Sequence, residues 1–272
     1  YIYKDEDSVA KQWIDWGADG WRLDVANEVD TVFWNDFREV MKEHNSETLI
    51  LGEIWDDASK YFVGDQYDSV MNYRIRAALI DYLKNGNATR LNDTLMAVYE
   101  DYPEEAFYAL MNLMGSHDVA RAIYVLGGGS DSSERAELGN YDENLGKQRL
   151  KLAALFEFGY AGAPTIYYGD EAGVTGSKDP DCRRTYPWGN EDESLVSFYE
   201  AIGSVRENNK ELFSYGDLTT LYTGTEGVYV YGRSYEDKHA IVAINPTQSD
   251  AKITLDLKEF TGNGTNFIDG LD

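Results

Sequence analysis

The sequence predicts an α/β fold followed by a small antiparallel β-domain. Through the first 212 residues, short and nearly continuous apolar runs alternate with amphipathic segments of helical length, as in parallel strands covered on both faces. After residue 212 the pattern changes to short alternating runs separated by turn residues, which is typical of antiparallel strands. The chain has 272 residues, 43% of them hydrophobic, enough for one large domain with a small appendage. We therefore predict one domain over residues 1–212 and a second over residues 213–272.

The elements of these domains follow in chain order. Apolar runs predict strands at 20–26, 48–54, 69–73, 110–114 and 164–168. Helical spacing of apolar residues predicts helices at 31–44, 74–84, 91–101, 145–159 and 194–209. Segment 127–144, rich in Gly, Ser, Asp and Glu, is predicted to be a long exposed loop. In the second domain, alternation predicts strands at 228–233, 239–244 and 252–257.

The charge balance limits the expected partners. The chain carries 49 acidic and 24 basic residues, a formal net charge of -25. Such a surface repels phosphate backbones and anionic lipid head groups, so we expect neither nucleic acid nor a membrane surface as a partner. Neutral ligands such as sugars meet no such repulsion. The single cysteine, Cys182, excludes an internal disulfide and a cysteine-based zinc site.

The first predicted strand delivers two charged residues to one place. Arg22 and Asp24 alternate with apolar residues, so they lie side by side on the same face of the strand. A guanidinium next to a carboxylate lowers the pKa of that carboxylate and keeps it ionised, as a nucleophile made from aspartate requires. On this segment alone, a structural salt bridge at a strand end is an equally supported interpretation.

Further polar residues follow two later strands. Glu53 closes the second strand among apolar neighbours, where burial is expected to raise its pKa and favour a role as an acid. His117 and Asp118 follow the fourth strand. Because the carboxyl ends of the strands of an α/β barrel surround one pocket, these residues can converge on Asp24. One ionised and one protonated carboxyl group suit glycoside hydrolysis, while a helix cap for Glu53 and a loop hydrogen bond for His117 and Asp118 are the structural alternatives.

Several segments resemble signature regions of the α-amylase superfamily, glycoside hydrolase family 13. They are GWRLDVANEV at 20–29, LGEIW at 51–55, NLMGSHD at 112–118, YYGDEAG at 167–173 and DPDCRRTYPW at 179–188. The resemblance covers essentially the whole chain. It implies an α/β fold that is the C-terminal portion of a TIM (β/α)8 barrel, strands 4 to 8, followed by a small antiparallel β-domain. It also implies a retaining glycosidase that acts on starch, pullulan, maltooligosaccharides or cyclodextrins, with the choice between α-1,4 and α-1,6 bonds left open.

The resemblance assigns the chemistry to three carboxylates. It implies that Asp24 is the nucleophile, that Glu53 is the general acid/base, and that Asp118 is the third carboxylate, which stabilises the transition state. The same comparison implies that Arg22 orients Asp24 and that His117 hydrogen-bonds the sugar at the cleavage subsite.

Further residues are expected to contact the substrate. Asn27 and Glu28 look like the neopullulanase, cyclomaltodextrinase and amylopullulanase branch of the family. The resemblance also implies that Asp179 and Arg183 bind the next sugar on the non-reducing side. From their places at strand ends, the residues expected to stack on sugar rings are Trp55 and Tyr73.

Two alternatives to the hydrolase remain open. A non-catalytic glycan-binding relative would keep the barrel without the chemistry, and a transglycosylase would use a sugar hydroxyl in place of water. The presence of all three carboxylates favours an enzyme over a binding module. No cofactor or metal is expected within this segment, and the resemblance leaves open a calcium ion in the N-terminal part of the barrel.

The sequence also departs from the family. Its first signature region and the first three barrel strands have no match here. We therefore expect an excised piece of a longer protein, with an open five-stranded sheet whose unpaired edges lie near 20–26 and 164–168. The expected partners are an α-glucan and either the missing N-terminal half of the barrel or a second copy. The isolated piece is expected to be a poor catalyst.

Overall fold

Five short parallel strands form the first part of the computed structural model, which describes residues 1–262 and 266–271. They are β1 Gly20–Leu23, β2 Leu49–Gly52, β3 Ser69–Val70, β4 Met111–Leu113 and β5 Ala163–Thr165. Each strand overlaps the segment predicted for it but is shorter. The polar residues predicted to close β1 and β2 therefore lie just beyond the last paired residue.

The strands lie side by side in chain order. β1 pairs in parallel with β2, with Leu23 opposite Gly52, and β2 pairs in parallel with β3. β4 pairs in parallel with β5, and a parallel bridge between Met71 and Met111 joins the two groups. Within residues 1–262 and 266–271, β1 and β5 are thus the outer edges of an open sheet, as the sequence predicts. All five carboxyl ends point to the same side of that sheet.

Ten α-helices occur in the described part of the chain. They are α1 Val9–Asp15, α2 Thr31–His44, α3 Tyr73–Asn85, α4 Ala88–Asp101, α5 Glu104–Tyr108, α6 Ala122–Leu126, α7 Glu143–Gly159, α8 Glu193–Asn208, α9 Lys210–Tyr215 and α10 Lys258–Thr261. The five helices predicted from apolar spacing are all present, and no helix or strand lies between Gly127 and Asp142, which confirms the predicted loop. The five short helices were not predicted, because four to seven residues are too few to show a helical repeat.

Side-chain caps explain why the long helices begin where they do. The Asp30 side chain accepts a hydrogen bond from the Val32 amide and starts α2 at the predicted residue. The other helices with a side-chain cap of this kind are α3, α4, α7 and α8, capped by Asn72, Asn87, Asp142 and Asp192. Asn and Asp are strongly preferred at this position because their side-chain oxygen satisfies an otherwise unpaired amide.

The second part of the chain is a three-stranded antiparallel sheet. Its strands are β6 Asp217–Thr223, β7 Tyr229–Tyr235 and β8 Lys238–Ile244, paired in that order. The two strands predicted at 228–233 and 239–244 are confirmed, while β6 was missed because it has few apolar residues. The prediction of a strand at 252–257 is wrong: this segment alternates between half-buried and exposed residues but has no strand partner among the residues that the structure describes. Alternation predicts which side chains face the protein, but it does not provide a neighbouring strand. Residues 263–265 and 272 of the predicted second domain lie outside the described residues.

A buried polar contact region, here called the domain junction, connects the helices to the three-stranded sheet. It consists of Tyr82, residues 156–159, Tyr231 and Arg233. The Tyr82 hydroxyl contacts the backbone carbonyls of residues 227 and 244, at 2.8 and 2.9 Å. The Tyr231 hydroxyl donates to the carbonyl of residue 156 at 2.7 Å, and the Arg233 guanidinium donates to the carbonyls of residues 159 and 216. These bonds fix the sheet against α3 and α7. In the described residues, every helix is too short or too polar to cross a membrane.

Candidate active site

The ends of β1 and β2 bring two carboxylates together. Leu23 pairs with Gly52, so the next residues, Asp24 and Glu53, follow adjacent parallel strands at the same level. The Glu53 amide donates to the Leu23 carbonyl at 2.9 Å, which continues the pairing by one residue. The Asp24 side chain is 74% exposed and the Glu53 side chain is 6% exposed. One carboxylate therefore faces solvent, while its neighbour is enclosed.

Arg22 contacts both carboxylates. One guanidinium nitrogen, Nη1, forms a short ion pair with Asp24 Oδ1, as the sequence predicts. The other, Nη2, lies 3.1 Å from Glu53 Oε1, in the geometry of an ion pair rather than of an aligned hydrogen bond. The contact with Glu53 was not predicted, because that residue lies 31 positions further along the chain. A planar guanidinium can serve two carboxylates at once, which a lysine ammonium cannot do with the same geometry.

The residue after Asp24 has an unusual backbone. Val25 has φ 43° and ψ 46°, in the left-handed region that a β-branched residue rarely adopts. Such a conformation costs on the order of 1–3 kcal/mol. The Val25 amide donates to Glu53 Oε2 at 2.8 Å, so the buried carboxylate helps to hold the turn in place. The turn leads into a 3-10 helix in which Asn27 and Glu28 are exposed, and these two residues line a surface cavity of about 430 Å³.

An aromatic pair flanks Glu53. The Trp55 indole Nε1 donates to Glu53 Oε1 at 3.3 Å, and its ring stacks on Tyr73 with centroids 4.1 Å apart and 5° between planes. Trp55 is 46% exposed, whereas Tyr73 is buried. The exposed ring of Trp55 thus remains available to a sugar. The buried ring of Tyr73 supports Trp55 from the other side. Stacking of Tyr73 itself on a sugar stays a prediction.

The Tyr73 hydroxyl connects this group to the end of β4. It lies 3.0 Å from Ser116 Oγ, which in turn accepts from the Asp118 amide at 3.2 Å. Burial raises the pKa of Tyr73, and the negative charges of Asp118 and Glu53 act in the same direction. A continuous series of contacts through Trp55, Tyr73 and Ser116 therefore connects Glu53 to Asp118.

A second cluster surrounds Asp118. His117 Nε2 lies 3.0 Å from Asp118 Oδ2, and Arg183 Nη2 lies 3.9 Å from Asp118 Oδ1. Arg183 also forms an ion pair with Asp179 at 2.6 Å. The structure therefore brings together the predicted residues of the fourth strand end and those that follow the fifth strand.

A buried pair that sequence reasoning did not select lies behind this cluster. Arg121 is fully buried and forms an ion pair with Asp170 at 3.0 Å. Burial raises the pKa of Asp170 to about 6, although the Arg121 charge opposes that shift. A Cβ atom on Gly115 would collide with Asp170 Oδ2, so any other residue here requires the Asp170 side chain to shift. The one signal in the sequence was the position of Arg121, three residues after Asp118.

No group of three or more His, Cys, Asp or Glu residues suited to a metal ion occurs within the residues that the structure describes. The acidic residues of the two clusters are instead contacted by the side chains of Arg22, His117 and Arg183. The arrangement thus offers one exposed and one enclosed carboxylate side by side, with a third near them.

Two family models match consecutive parts of the chain. The model described as "Alpha amylase, catalytic domain" matches residues 2–214, and the one described as "Alpha-amylase C-terminal domain" matches residues 216–266. Together they account for the α/β part and the three-stranded sheet.

Curated relatives and solved structures agree with these models. The chain is 43% identical to an amylopullulanase of Thermoanaerobacterium thermosulfurigenes, over 99% of this chain and 16% of that protein. It is 39% identical to a cyclomaltodextrinase of Thermoanaerobacter pseudethanolicus, over 91% of this chain and 41% of that protein. A structure of the debranching enzyme from Nostoc punctiforme superposes with a TM-score of 0.80 at 30% identity, over 92% of this chain and 52% of that one. The chain thus spans less than half the length of these two curated relatives.

Proposed function

This chain belongs to the α-amylase family, and from that premise we propose that it carries the catalytic carboxylates of a retaining α-glucan hydrolase. The proposed substrates are pullulan, starch, cyclodextrins and maltooligosaccharides. The names of the relatives, amylopullulanase, cyclomaltodextrinase and neopullulanase, support this substrate class.

The observation that carries the proposal is the contact of one guanidinium with two carboxylates. Because Arg22 touches both Asp24 and Glu53, the two carboxyl groups lie close together. Retaining glycosidases need this closeness, about 5–5.5 Å between carboxyl groups, because one carboxylate attacks the sugar directly. Inverting enzymes keep the two groups farther apart to admit a water molecule.

The proposed mechanism has two steps. Asp24, which is exposed and paired with Arg22, attacks the anomeric carbon while Glu53 donates a proton to the leaving oxygen. This step breaks the glycosidic bond and leaves the sugar covalently attached to the Asp24 carboxylate. Glu53, now ionised, takes a proton from water, whose oxygen attacks the anomeric carbon and releases the sugar.

The surrounding residues would stabilise the charge that develops on the sugar. Asp118 places a third negative charge near the oxocarbenium-like centre, and His117 hydrogen-bonds the sugar beside it. Trp55 presents an exposed ring for stacking. Asp179 and Arg183 are the proposed contacts of the next sugar on the non-reducing side. Asn27 and Glu28 are proposed to contact substrate in the surface cavity that they line.

A mechanism-based trap tests this proposal. The natural protein that contains this chain would be incubated with a 5-fluoro-α-glycosyl fluoride, digested and examined by mass spectrometry. A glycosyl group attached to the peptide at Asp24 is the expected result, and Asp24→Asn should abolish the label. The matched control is Asp30→Asn, six residues away, because asparagine also caps a helix well and the label should persist. A label on another residue, or hydrolysis with inverted stereochemistry, would contradict the mechanism.

A further inference from the structure

Arg121 connects two loops that carry proposed site residues. One loop holds His117 and Asp118, and the other holds Asp179 and Arg183. Arg121 itself is fully buried, so it cannot contact a substrate. Its role must act through its neighbours.

The hydrogen bonds of Arg121 reach segments far away in sequence. Its amide donates to the carbonyl of Gly176 at 3.0 Å, and its Nε donates to the carbonyl of Cys182 at 2.7 Å. Its Nη1 donates to the carbonyl of Tyr168 at 2.6 Å and to Asp170 Oδ1 at 3.0 Å. One side chain thus fixes the segment after β5 and the loop that contains Asp179 and Arg183.

Cys182 completes the connection. It lies next to Arg183 in the sequence, and its Sγ donates to the carbonyl of His117 at 3.2 Å. Arg121 therefore holds the backbone of Cys182, while the side chain of Cys182 holds the backbone beside Asp118. The 3.9 Å approach of Arg183 to Asp118 lies between the two segments that these bonds connect.

The surroundings of Arg121 hold its side chain in one orientation. The guanidinium carbon lies 4.0 Å from the Tyr167 ring centroid and 4.7 Å from that of Tyr168, so two adjacent aromatic rings pack against it. Its Nη2 has no hydrogen-bond partner within the described part of the chain. Burying an ion pair such as this one with Asp170 gives little net stability compared with well-packed apolar groups. The side chain that suits this place is one that fixes several carbonyls in one plane, and arginine has that geometry.

We propose that Arg121 is a positioning residue that locks the His117–Asp118 loop to the Asp179–Arg183 loop and so sets the distance between the third carboxylate and the adjacent sugar site. This inference rests on the proposed function for its consequence in catalysis. The lock itself is a property of the folded chain and is tested separately.

Cys182 provides a direct probe of the lock, because it is the single cysteine of the sequence and is fully buried. The rate at which dithionitrobenzoate modifies its thiol in the folded protein measures how often the two loops separate. We expect Arg121→Met to raise that rate by about tenfold or more, because local opening exposes the thiol. Arg121→Lys keeps the charge and part of the hydrogen bonding, and its rate should be intermediate.

The matched control is Arg233→Met. Arg233 is also fully buried and also donates to backbone carbonyls, but it lies in the domain junction. Its substitution should leave the thiol rate within about twofold of wild type when the variants are compared at equal distance below their Tm. If the thiol of Cys182 is modified as slowly in Arg121→Met and Arg121→Lys as in the control, the lock does not exist.

Kinetics in the natural protein that contains this chain supply the second readout. Arg121→Lys should lower kcat and raise KM for a maltooligosaccharide, with kcat/KM reduced about tenfold or more, because Asp118 and the Asp179–Arg183 pair both move. Arg233→Met should change neither parameter by more than about twofold. An unlocked thiol with unchanged kcat and KM would overturn the catalytic part of the inference. An inactive wild-type protein with a normal thiol response would instead contradict the proposed function and leave the lock supported.

Discussion

The candidate active site and the domain junction both rest on buried or half-buried arginine, but its partners differ. Arg22 faces two carboxylates, Asp24 and Glu53, and its side chain is 30% exposed. Arg233 donates to backbone carbonyls, lies over the ring of Tyr108 and is fully buried. Carbonyl oxygens neither ionise nor react at ordinary pH, so the contacts of Arg233 can only be kept or lost. Carboxylates can gain protons or attack a substrate, so the contacts of Arg22 serve groups that remain reactive. The difference predicts that substitutions in the site affect activity, whereas substitutions in the junction affect stability.

The strongest test removes the exposed carboxylate of the site. In the natural protein that contains this chain, Asp24→Asn should lower kcat/KM for maltooligosaccharides by about a thousandfold or more, because the amide cannot form the covalent intermediate. The Tm should change little, since the Asp24 side chain is 74% exposed. Steady-state kinetics and a thermal melt of the same preparation check both statements. Substantial turnover by this variant would show that Asp24 is not the nucleophile.

The next test keeps the charge and changes its shape. Arg22→Lys should reduce kcat/KM by about 100-fold, because one ammonium cannot contact Asp24 and Glu53 with the geometry of the guanidinium. The companion change in the junction, Arg233→Lys, should lower the Tm and leave kcat/KM within about twofold. Equal kinetic losses in the two variants would remove the distinction between the regions.

A third test uses the pH dependence of a buried acid in the junction. Burial raises the pKa of Glu157 to about 8, and the Thr165 amide donates to its Oε1 at 2.9 Å. The folded protein therefore keeps a proton that the unfolded chain releases above its ordinary pKa of 4.5. Between about pH 5 and 8 the free energy of unfolding should thus fall as pH rises, by about 3 to 4 kcal/mol from this group.

Glu157→Gln removes that dependence. Its advantage in Tm over wild type should grow from pH 5 to pH 8, and kcat should not follow the same curve. Thermal melts at several pH values measure the trend. A constant difference between the two proteins over this range would show that Glu157 is ionised in the folded state.

The smallest expected effect concerns one hydroxyl group. Tyr82→Phe removes the contacts to the carbonyls of residues 227 and 244 and should cost about 1–2 kcal/mol of unfolding free energy. Activity measured well below the Tm should be unchanged. Urea unfolding gives the first quantity, and a maltooligosaccharide assay gives the second. A kinetic defect larger than the stability loss would mean that the three-stranded sheet contributes to catalysis.

The sequence predicted the parts of the site that depend on local pattern. The run from 20 to 29 located β1 and placed Arg22 beside Asp24, because alternation along a strand is local. Helix α2 was predicted at its observed bounds, since Asp30 marks its start. The contact of Arg22 with Glu53 and the network of Arg121 were not predictable in this way. They join residues 31 to 61 positions apart, and such pairs leave no periodic trace in one sequence.

Segment 252–257 shows the opposite error. Its alternation is real, and the structure places alternate residues half-buried, yet no strand within residues 1–262 and 266–271 pairs with it. A single sequence reveals which side chains avoid water, but strand pairing depends on what else lies at the sheet edge.

The collision between Gly115 and Asp170 constrains how this chain can change over generations. A side chain at position 115 would strike Asp170 Oδ2, and Asp170 in turn is the ionic partner of Arg121. A larger residue at position 115 therefore requires Asp170 to shift or to be replaced by something smaller, and either change disturbs its ion pair with the buried Arg121. Each single step is unfavourable although the combined change need not be. Substitutions at positions 115, 121 and 170 should consequently occur together, and each position should otherwise stay unchanged.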